Sequence, residues 1–386
     1  MIAPFPYFGG KSRIAARIWE AFGNVDNFVE PFAGSAAVLL ARPDTHEWWN
    51  RRETVNDADG MISNYWRATQ AEPDTVAKWA DWIVSENDLT ARHGWLVARR
   101  DSLQTQLEGD PDYYDAKVAG WWLWGICIWI GGGWCSGQGP WHQENGLLVN
   151  EAERGQGVER KRPHLSNAGR GINRKLPHLS DAGQGINRQL PHLGDAGRGI
   201  NRRRPHLGGV WSIGVGINKG AVDVGTDGVG HCAAWSEHLQ DMMGRLSDRL
   251  RRVRVCCGDW SRVCGPSPTT KLGLTGVFLD PPYAHAERDS SLYRVEMQTA
   301  DAVREWAVAH GNDPLMRIAY CSYEGVDDMP ADWTAFRWKA KGGYASLGDG
   351  SNDNATREVV YFSSHCLQPT IQAKLDLPMD AGVKCT

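Results

Sequence analysis

The sequence predicts an α/β fold of the Rossmann-like type that is interrupted by a long insertion. Strand and helix patterns alternate around a glycine-containing turn in the first 60 residues, and the same alternation returns after about residue 250. The region between these segments is mainly helical at first and then repetitive and basic. We therefore expect one sheet built from both segments, with the intervening residues inserted between its strands.

The first 60 residues have the organisation of one half of a nucleotide-binding domain. Apolar residues at helical spacing predict a helix from Ser12 to about Phe22, with Ser12 as its N-cap. A short strand begins at Phe28-Val29 and ends at a turn that contains Gly34, and a second helix is expected over residues 35–41. A second strand ends at Asn56-Asp57. A strand, a glycine turn, a helix and a strand that ends in an acid favour nucleotide binding.

Residues 61–245 are predicted to form the insertion. Its pattern is mainly helical as far as residue 130, and several aromatic residues are expected in the core there: Tyr65, Trp66, Trp79, Trp82 and Trp95. The run 121–141 is rich in Trp and Gly, which favours a buried helix and a glycine-rich loop over a base-stacking platform. A 14-residue repeat follows at about 162–207, with Pro-His-Leu at 163, 177, 191 and 205. Its turn formers predict short strands and turns, or a flexible arm.

The charge distribution favours a polyanionic partner for the insertion. The formal net charge of the chain is −4, but 11 Arg and Lys stand against two Asp between Arg160 and Arg204. A basic segment of this kind is typical of nucleic-acid binding. Arg174, Arg188 and Arg202 each follow a Gly-Ile-Asn and are candidate phosphate contacts. A solvated basic loop without a partner is the alternative.

The second α/β segment, residues 246–365, is predicted to complete the domain that residues 1–60 begin. Its expected elements are strands at 253–255, 276–279 and 315–321, a helix at 301–310, and a closing hairpin made by 336–338 and 358–362. Residues 366–386 are expected to be a flexible tail.

The strongest chemical signal is Asp280-Pro281-Pro282-Tyr283, directly after an apolar strand. An aromatic amine is a weak nucleophile because its lone pair is delocalised into the ring. The Asp280 carboxylate and the Pro281 carbonyl can each accept one amino hydrogen, which directs the nitrogen lone pair at an activated methyl group. The prolines restrict the backbone, and Tyr283 can stack on the target base. The pattern indicates methylation of a base amine; a chance turn after a strand is the alternative.

Two other motifs lie near the N-terminus. In the turn that follows Phe28-Val29, Gly34 allows the backbone to approach a ligand closely, and the next helix offers amide donors. The segment from Phe5 to Ser12 contains Gly9-Gly10-Lys11, but it lacks the full spacing of a phosphate loop and no strand precedes it. A phosphate loop is therefore rejected.

The order of the motifs resembles that of the Dam-like DNA adenine methyltransferases, over roughly residues 1–65 and 250–365. The motifs are Tyr-Phe-Gly-Gly-Lys at 7–11, Val-Glu-Pro-Phe-Ala-Gly at 29–34, Asn56-Asp57, Gly258-Asp259-Trp260 and Asp280-Pro-Pro-Tyr283. The resemblance implies an S-adenosylmethionine-dependent fold in which 61–245 recognises the target. It also implies methylation of N6 on an adenine flipped out of double-stranded DNA. Ala36 departs from the family, which usually has a second Gly there, and this methyl group is expected to tighten the pocket.

The resemblance also implies roles for individual residues. Tyr7 and Lys11 would line the cofactor pocket. The floor of the pocket would be formed by Glu30, Phe32 and Gly34. Asp57 would bind the ribose hydroxyls, and Asp259 would contact the adenine amine of the cofactor with Trp260 packed nearby. The catalytic residues would be Asp280, Pro281, Pro282 and Tyr283.

Several alternatives stay open. The same tetrapeptide serves the N4 amine of cytosine, and a catalytically silent DNA-binding protein on this scaffold is a different class; a protein glutamine methyltransferase is disfavoured. The spacing of the nine cysteines predicts neither a zinc site nor a disulfide framework. The longest apolar stretch, Trp121 to Ile130, is too short to span a bilayer, so a cytoplasmic protein without a membrane partner is expected. The oligomeric state, the recognition sequence and the choice between a restriction, phage or epigenetic role are not predicted, although the repeats favour a phage or prophage.

Overall fold

The computed structural model describes residues 1–7, 10–43, 51–129, 134–135, 141–144, 147–150, 228–282, 290–325, 328–338 and 358–368. Several features of the sequence analysis lie outside these residues. They are the 14-residue repeat with Arg174, Arg188 and Arg202, the catalytic-motif residue Tyr283, and the tail after residue 368.

Seven strands form one mixed sheet in the order β5-β2-β1-β6-β7-β9-β8. These strands are β1 (Asn27–Glu30), β2 (Arg52–Asp57), β5 (Val253–Cys257), β6 (Thr275–Leu279), β7 (Met316–Tyr323), β8 (Thr334–Arg337) and β9 (Glu358–Phe362). A separate antiparallel hairpin pairs β3 (Trp141–Glu144) with β4 (Leu147–Asn150). The prediction of an α/β fold with strands from both halves of the chain is confirmed.

The five strands β5, β2, β1, β6 and β7 are parallel, whereas β9 and β8 complete the sheet in antiparallel pairs. From β1 the chain adds strands outward through β2 to β5, and from β6 it adds them in the opposite direction through β7. The order therefore reverses between β1 and β6. In open α/β sheets this reversal leaves a crevice at the carboxyl ends of the two strands, where ligands bind.

Helices cover the sheet, and most of those that lie between β2 and β5 in the sequence form a layer of their own. The helices are α1 (Ala15–Phe22), α2 (Ala37–Leu40), α3 (Gly60–Ala71), α4 (Pro73–Ala80), α5 (Glu86–Val97), α6 (Arg100–Gly109), α7 (Ala116–Ile128), α8 (Gly228–Leu250) and α9 (Ser290–His310). Among the helices whose N-caps are described, side chains cap those of α3, α5 and α7, through Asp59, Ser85 and Asp115. The predicted cap of α1 is wrong. This helix begins at Ala15 with Ile14 as its N-cap, because residues 12–14 form a turn in which Ile14 N donates to the Lys11 carbonyl at 3.1 Å.

The apolar core is continuous from the sheet into the layer of α3 to α7. Tyr65 and Trp66 are fully buried, as predicted, and Trp79 and Trp95 are half-buried. The prediction for Trp82 is wrong, because this side chain is 46% exposed. It follows the end of α4, its Nε1 donates to Asp88 at 2.9 Å, and the guanidinium of Arg92 lies over its ring.

A buried ion cluster ties α8 to the sheet. Glu53 on β2 accepts hydrogen bonds from Arg42 and from both terminal nitrogens of Arg249, with distances of 3.1, 2.7 and 2.9 Å. The side chains of Glu53 and Arg42 are only 6% and 3% exposed. A carboxylate that satisfies two guanidinium groups in this way fixes the last turn of α8 against the strand that carries Asp57.

Among the described residues, no helix is both long and apolar enough to cross a membrane. Within the same residues, no group of three or more His, Cys, Asp and Glu side chains is arranged to hold a metal ion.

Candidate active site

The crevice between β1 and β6 brings together most of the predicted site residues that the structure describes. The glycine turn follows β1, Asp57 ends β2, Asp259 comes shortly after β5 and Asp280 directly follows β6. Since these four strands are parallel neighbours, their carboxyl ends lie along one edge of the sheet. The topology thereby assembles acids that are far apart in the sequence.

The turn after β1 is held by three contacts. Gly34 has a φ of +46°, in the region that favours glycine. Its N–H donates to Asp57 Oδ2 at 2.8 Å, and its carbonyl accepts from Trp66 Nε1 at 2.9 Å. The ring of Tyr7 covers the position of the missing side chain, since an added Cβ would lie 2.4 Å from Tyr7 Cε1. These contacts fix the turn and put Tyr7 beside it.

Asp57 is an acceptor for two backbone groups. Besides the Gly34 N–H, it accepts from Asp59 N at 2.9 Å. Burial raises the pKa of the Asp57 carboxyl from 3.8 to about 7, and these two hydrogen bonds oppose the rise. Its contribution to the free energy of unfolding therefore decreases as the pH rises from about 4 to about 7. An ionised carboxylate has roughly four lone-pair sites, so two backbone donors do not saturate it.

Glu30, predicted as part of the pocket floor, is fully buried at the end of β1. Its carboxylate accepts from Leu39 N at 3.1 Å, and burial raises its pKa well above the ordinary value. The Glu30 carboxylate thus contacts α2, the helix that follows the glycine turn. A role towards a cofactor stays a prediction for this residue.

Asp259 and its neighbours lie at the same edge of the sheet, in the loop that follows β5. Asp259 caps the short 3-10 helix Trp260–Val263, because its Oδ1 accepts from Ser261 N at 2.9 Å. Trp260 stacks with Phe32, with ring centroids 6.3 Å apart and planes inclined by 28°. The loops after β1 and β5 therefore meet through aromatic contact, beside a carboxylate that is exposed.

One buried residue that connects the loops after β1 and β5 is not among the site residues predicted from the sequence. Asn56, buried on β2, donates through Nδ2 to the carbonyls of Pro31 at 3.0 Å and Gly258 at 2.9 Å. It thus links the strand ends on both sides of its own strand. The sequence signal was present, since Asn56 immediately precedes Asp57 in one of the motifs.

Lys11 and Asp280 form an ion pair at the centre of the crevice. Lys11 Nζ lies 2.9 Å from Asp280 Oδ2, and the Lys11 side chain is only 3% exposed. Burial is the largest single effect on the pKa of Lys11 and lowers it, but Asp280, Cys321 and Glu358 together outweigh burial, so the pKa is raised. Pro281 is buried and Pro282 is exposed. The structure therefore joins the N-terminal motif to the catalytic motif through one salt bridge.

The second acid beside Lys11 was missed by the sequence analysis. Glu358, the first residue of β9, has its Oε2 3.8 Å from Lys11 Nζ, and its side chain is 12% exposed. Because β9 runs antiparallel to β7, its first residue lies at the edge where the parallel strands end. No motif surrounds Glu358 in the sequence, so only the sheet topology reveals it.

The backbone of the turn leads to a prediction about stability. Replacing Gly34 by Ala is expected to lower the free energy of unfolding by about 1–3 kcal/mol, since a non-glycine residue there is strained and its Cβ meets Tyr7. Chemical denaturation of both proteins measures the difference.

The matched control is the reverse exchange two residues away. Ala36 already has a left-handed backbone, with φ 49° and ψ 34°. Ala36→Gly is expected to change stability by less than about 1 kcal/mol, because relief of strain is offset by the loss of a buried methyl group. Wild-type stability of the Gly34→Ala variant would contradict the proposed strain.

The fold and this arrangement of a glycine turn and acidic strand ends define a class of protein, the Rossmann-like methyltransferases. Residues 7–108 match the family model of the D12 class N6 adenine-specific DNA methyltransferases, a stretch that includes Lys11, Gly34 and Asp57. This match supports the Dam-like adenine methyltransferase family predicted from the motifs, and the D12 class indicates an adenine-specific DNA methyltransferase. This family implies the use of S-adenosylmethionine. No curated protein matches the chain.

Proposed function

We propose that the protein transfers a methyl group from S-adenosylmethionine to N6 of an adenine flipped out of double-stranded DNA, at specific sites. The observation that carries the proposal is the ion pair of Asp280 with Lys11 in the crevice between β1 and β6, next to the glycine turn. A carboxylate at this point, followed by a buried Pro281, provides two acceptors side by side for an amino group.

The residues around the crevice fit S-adenosylmethionine. The ring of Tyr7 packs directly on the left-handed Gly34, and Asp57 has acceptor capacity beyond its two backbone donors. We propose that Asp57 holds the ribose hydroxyls, Asp259 the adenine amine of the cofactor, and Tyr7, Phe32 and Trp260 its apolar surfaces. When bound, S-adenosylmethionine supplies an electrophilic methyl group on a positively charged sulfur.

The side chains of the protein prepare the amine for attack. Asp280 accepts one amino hydrogen through its carboxylate and the Pro281 carbonyl accepts the other, so that the N6 lone pair turns out of the plane of the base. Lys11 holds the Asp280 carboxylate in place. The amine prepared in this way would take up the methyl group that S-adenosylmethionine supplies when bound, with the bonding electron pair left on the sulfur, and N6 would then release one proton. Tyr283 is proposed to stack on the flipped base.

We further propose that residues 61–245 bind and recognise the DNA, and that residues 1–60 and 246–365 form the catalytic domain. The basic segment between Arg160 and Arg204 supports this division, because phosphate contacts supply most of the sequence-independent affinity for duplex DNA. Flipping of the adenine costs a few kcal/mol of stacking and pairing, which contacts of this kind can offset.

The test is incubation with S-adenosylmethionine and unmethylated DNA, followed by mass spectrometry of the digested nucleosides. N6-methyladenosine is the expected product. N4-methylcytosine would keep the chemistry of Asp280 and change the acceptor base. Bound cofactor without any methylated nucleoside would contradict the proposed reaction and favour a DNA-binding protein on the same scaffold.

Replacement of Arg174, Arg188 and Arg202 together by Gln is expected to weaken DNA binding independently of sequence. If each contacts one phosphate, the slope of log K against log salt decreases in magnitude by about 3. Fluorescence anisotropy over a range of salt concentrations measures this slope. A matched variant, Arg251→Gln, changes an exposed arginine just after α8 and outside residues 61–245, and it should leave the slope unchanged. Equal slopes for the triple variant and the wild type would exclude these phosphate contacts.

A further inference from the structure

The acid at the start of β9 belongs to a buried cluster of three charges. Lys11 Nζ stands between Asp280 Oδ2 at 2.9 Å and Glu358 Oε2 at 3.8 Å. The three side chains are 3%, 19% and 12% exposed, so water screens their charges only weakly. Two carboxylates and one ammonium group leave a net charge of −1 in the cluster when all three are ionised.

We infer that Glu358 is a positioning residue for methyl transfer, which acts on Asp280 through Lys11. The inference rests on the proposed function. Without Glu358, the ammonium group of Lys11 would keep Asp280 and lose the second carboxylate near it. The Asp280 carboxylate would then be a weaker acceptor for the amino hydrogens, and the cluster would be neutral where positive charge develops on N6.

The position of Glu358 in the sheet supports this role. It is paired in register with Tyr323, the last residue of β7, and Trp338 N donates to its carbonyl at 3.4 Å. The backbone on both sides therefore fixes the residue at the carboxyl edge of the parallel strands. Its carboxylate lies 3.8 Å from Lys11 Nζ, and its strand is separated from β6 by β7 alone.

The charge state of Glu358 changes with pH. Burial raises the pKa of its carboxyl group; Lys11 opposes this effect and Asp280 adds to it. Among the described residues, Lys11 and Asp280 are the charged groups that shift it, and Cys321 on the adjacent β7 acts on Lys11. As the pH falls, Glu358 therefore gains a proton earlier than an ordinary glutamate, and its effect on Asp280 disappears.

The experiment compares wild type and Glu358→Gln in single-turnover methyl transfer to DNA between pH 5.5 and 8.5, on the order of one point per half unit. At pH 8.5 the variant is expected to be about tenfold slower. The ratio of the two rates should move towards one as the pH falls, because a growing share of the wild-type glutamate becomes neutral as the glutamine is. A ratio that stays constant with pH would indicate a merely structural role and overturn the inference.

Three further variants sharpen the result. Glu358→Asp keeps the charge and should recover part of the rate together with the pH-dependent ratio. In a Lys11→Met background, Glu358→Gln should change the rate by less than about twofold, because Glu358 can then no longer act on Asp280 through the Lys11 ammonium group. Glu324→Gln removes an exposed acid after β7 that pairs with Arg337 on β8. This variant should transfer methyl groups as the wild type does. A full tenfold effect in the Lys11→Met background would contradict the inference.

The outcomes separate the inference from the proposed function. Wild-type protein that transfers no methyl group overturns both. If the wild-type protein methylates DNA but the ratio of the wild-type and Glu358→Gln rates stays constant with pH, only the role of Glu358 is overturned. Circular dichroism and thermal unfolding of each variant, together with calorimetric titration of S-adenosylmethionine, verify that the variants compared are folded and bind the cofactor.

Discussion

Asp280→Ala is expected to slow methyl transfer by at least about 100- to 1000-fold while the dissociation constant for S-adenosylmethionine changes by less than about threefold. The carboxylate is the acceptor that directs the lone pair of the amine, whereas the proposed cofactor contacts come from Asp57, Asp259 and the glycine turn. Single-turnover rates with radiolabelled methyl groups and calorimetric titration of the cofactor measure the two effects separately.

The alanine variant leaves Lys11 buried with Glu358 at 3.8 Å as the recorded acid beside it, so its folding must be verified by circular dichroism. Asp280→Asn keeps the shape of the side chain and should be nearly as slow, because an amide is a weaker acceptor than a carboxylate. Asp332→Asn, an exposed acid in the loop before β8, is the matched control and should transfer methyl groups normally. Wild-type turnover by Asp280→Ala would exclude the proposed mechanism.

Glu53→Gln is expected to have the largest effect on stability, with a loss of about 3–5 kcal/mol in the free energy of unfolding. The substitution removes the charge that compensates two guanidinium groups, of which Arg42 is almost completely buried. Gln offers a single acceptor oxygen in place of the carboxylate that now serves three hydrogen bonds. Urea denaturation followed by circular dichroism measures the loss.

An exposed ion pair near the same helix end provides the control. Asp248 pairs with Arg251, and their side chains are 70% and 74% exposed. Asp248→Asn should cost less than about 1 kcal/mol, since water and salt screen such a pair. If Glu53→Gln were as mild as Asp248→Asn, the buried cluster would not be what attaches α8 to the sheet.

The elements of the sheet could be predicted because each carries a local signal. The apolar run at 276–279 leads directly into Asp280, and the strand pattern at 253–255 is followed four residues later by Asp259; both acids lie at one edge of the sheet in the structure. Parallel strands require this, whatever their distance in the sequence. The pairing of Lys11 with Asp280 does not follow from this rule, because Lys11 precedes α1 and lies on no strand; only the assembled structure shows that they are in contact.

The features that the sequence could not predict depend on the direction of a strand or of a side chain. An acid at the beginning of an antiparallel strand, such as Glu358, reaches the same edge as acids at the ends of parallel strands, but nothing in its neighbours indicates the strand's direction. The carboxylate of Glu30 contacts the N–H of Leu39 rather than an open crevice, and a sequence does not say which way a side chain is directed. Trp82 is exposed because α4 ends just before it.

The pairing of the central strands has a consequence for synthesis of the chain. Strand β1 lies between β2 and β6, and β2 lies between β1 and β5. The ribosome makes β1 and β2 early, but about 200 residues separate β2 from β5, which at typical elongation rates corresponds to roughly 10–40 s. During that interval both outer edges of the nascent pair lack their final partners. Chaperones that shield extended edges should therefore bind this polypeptide while it is being made, and the yield of native enzyme should depend on them.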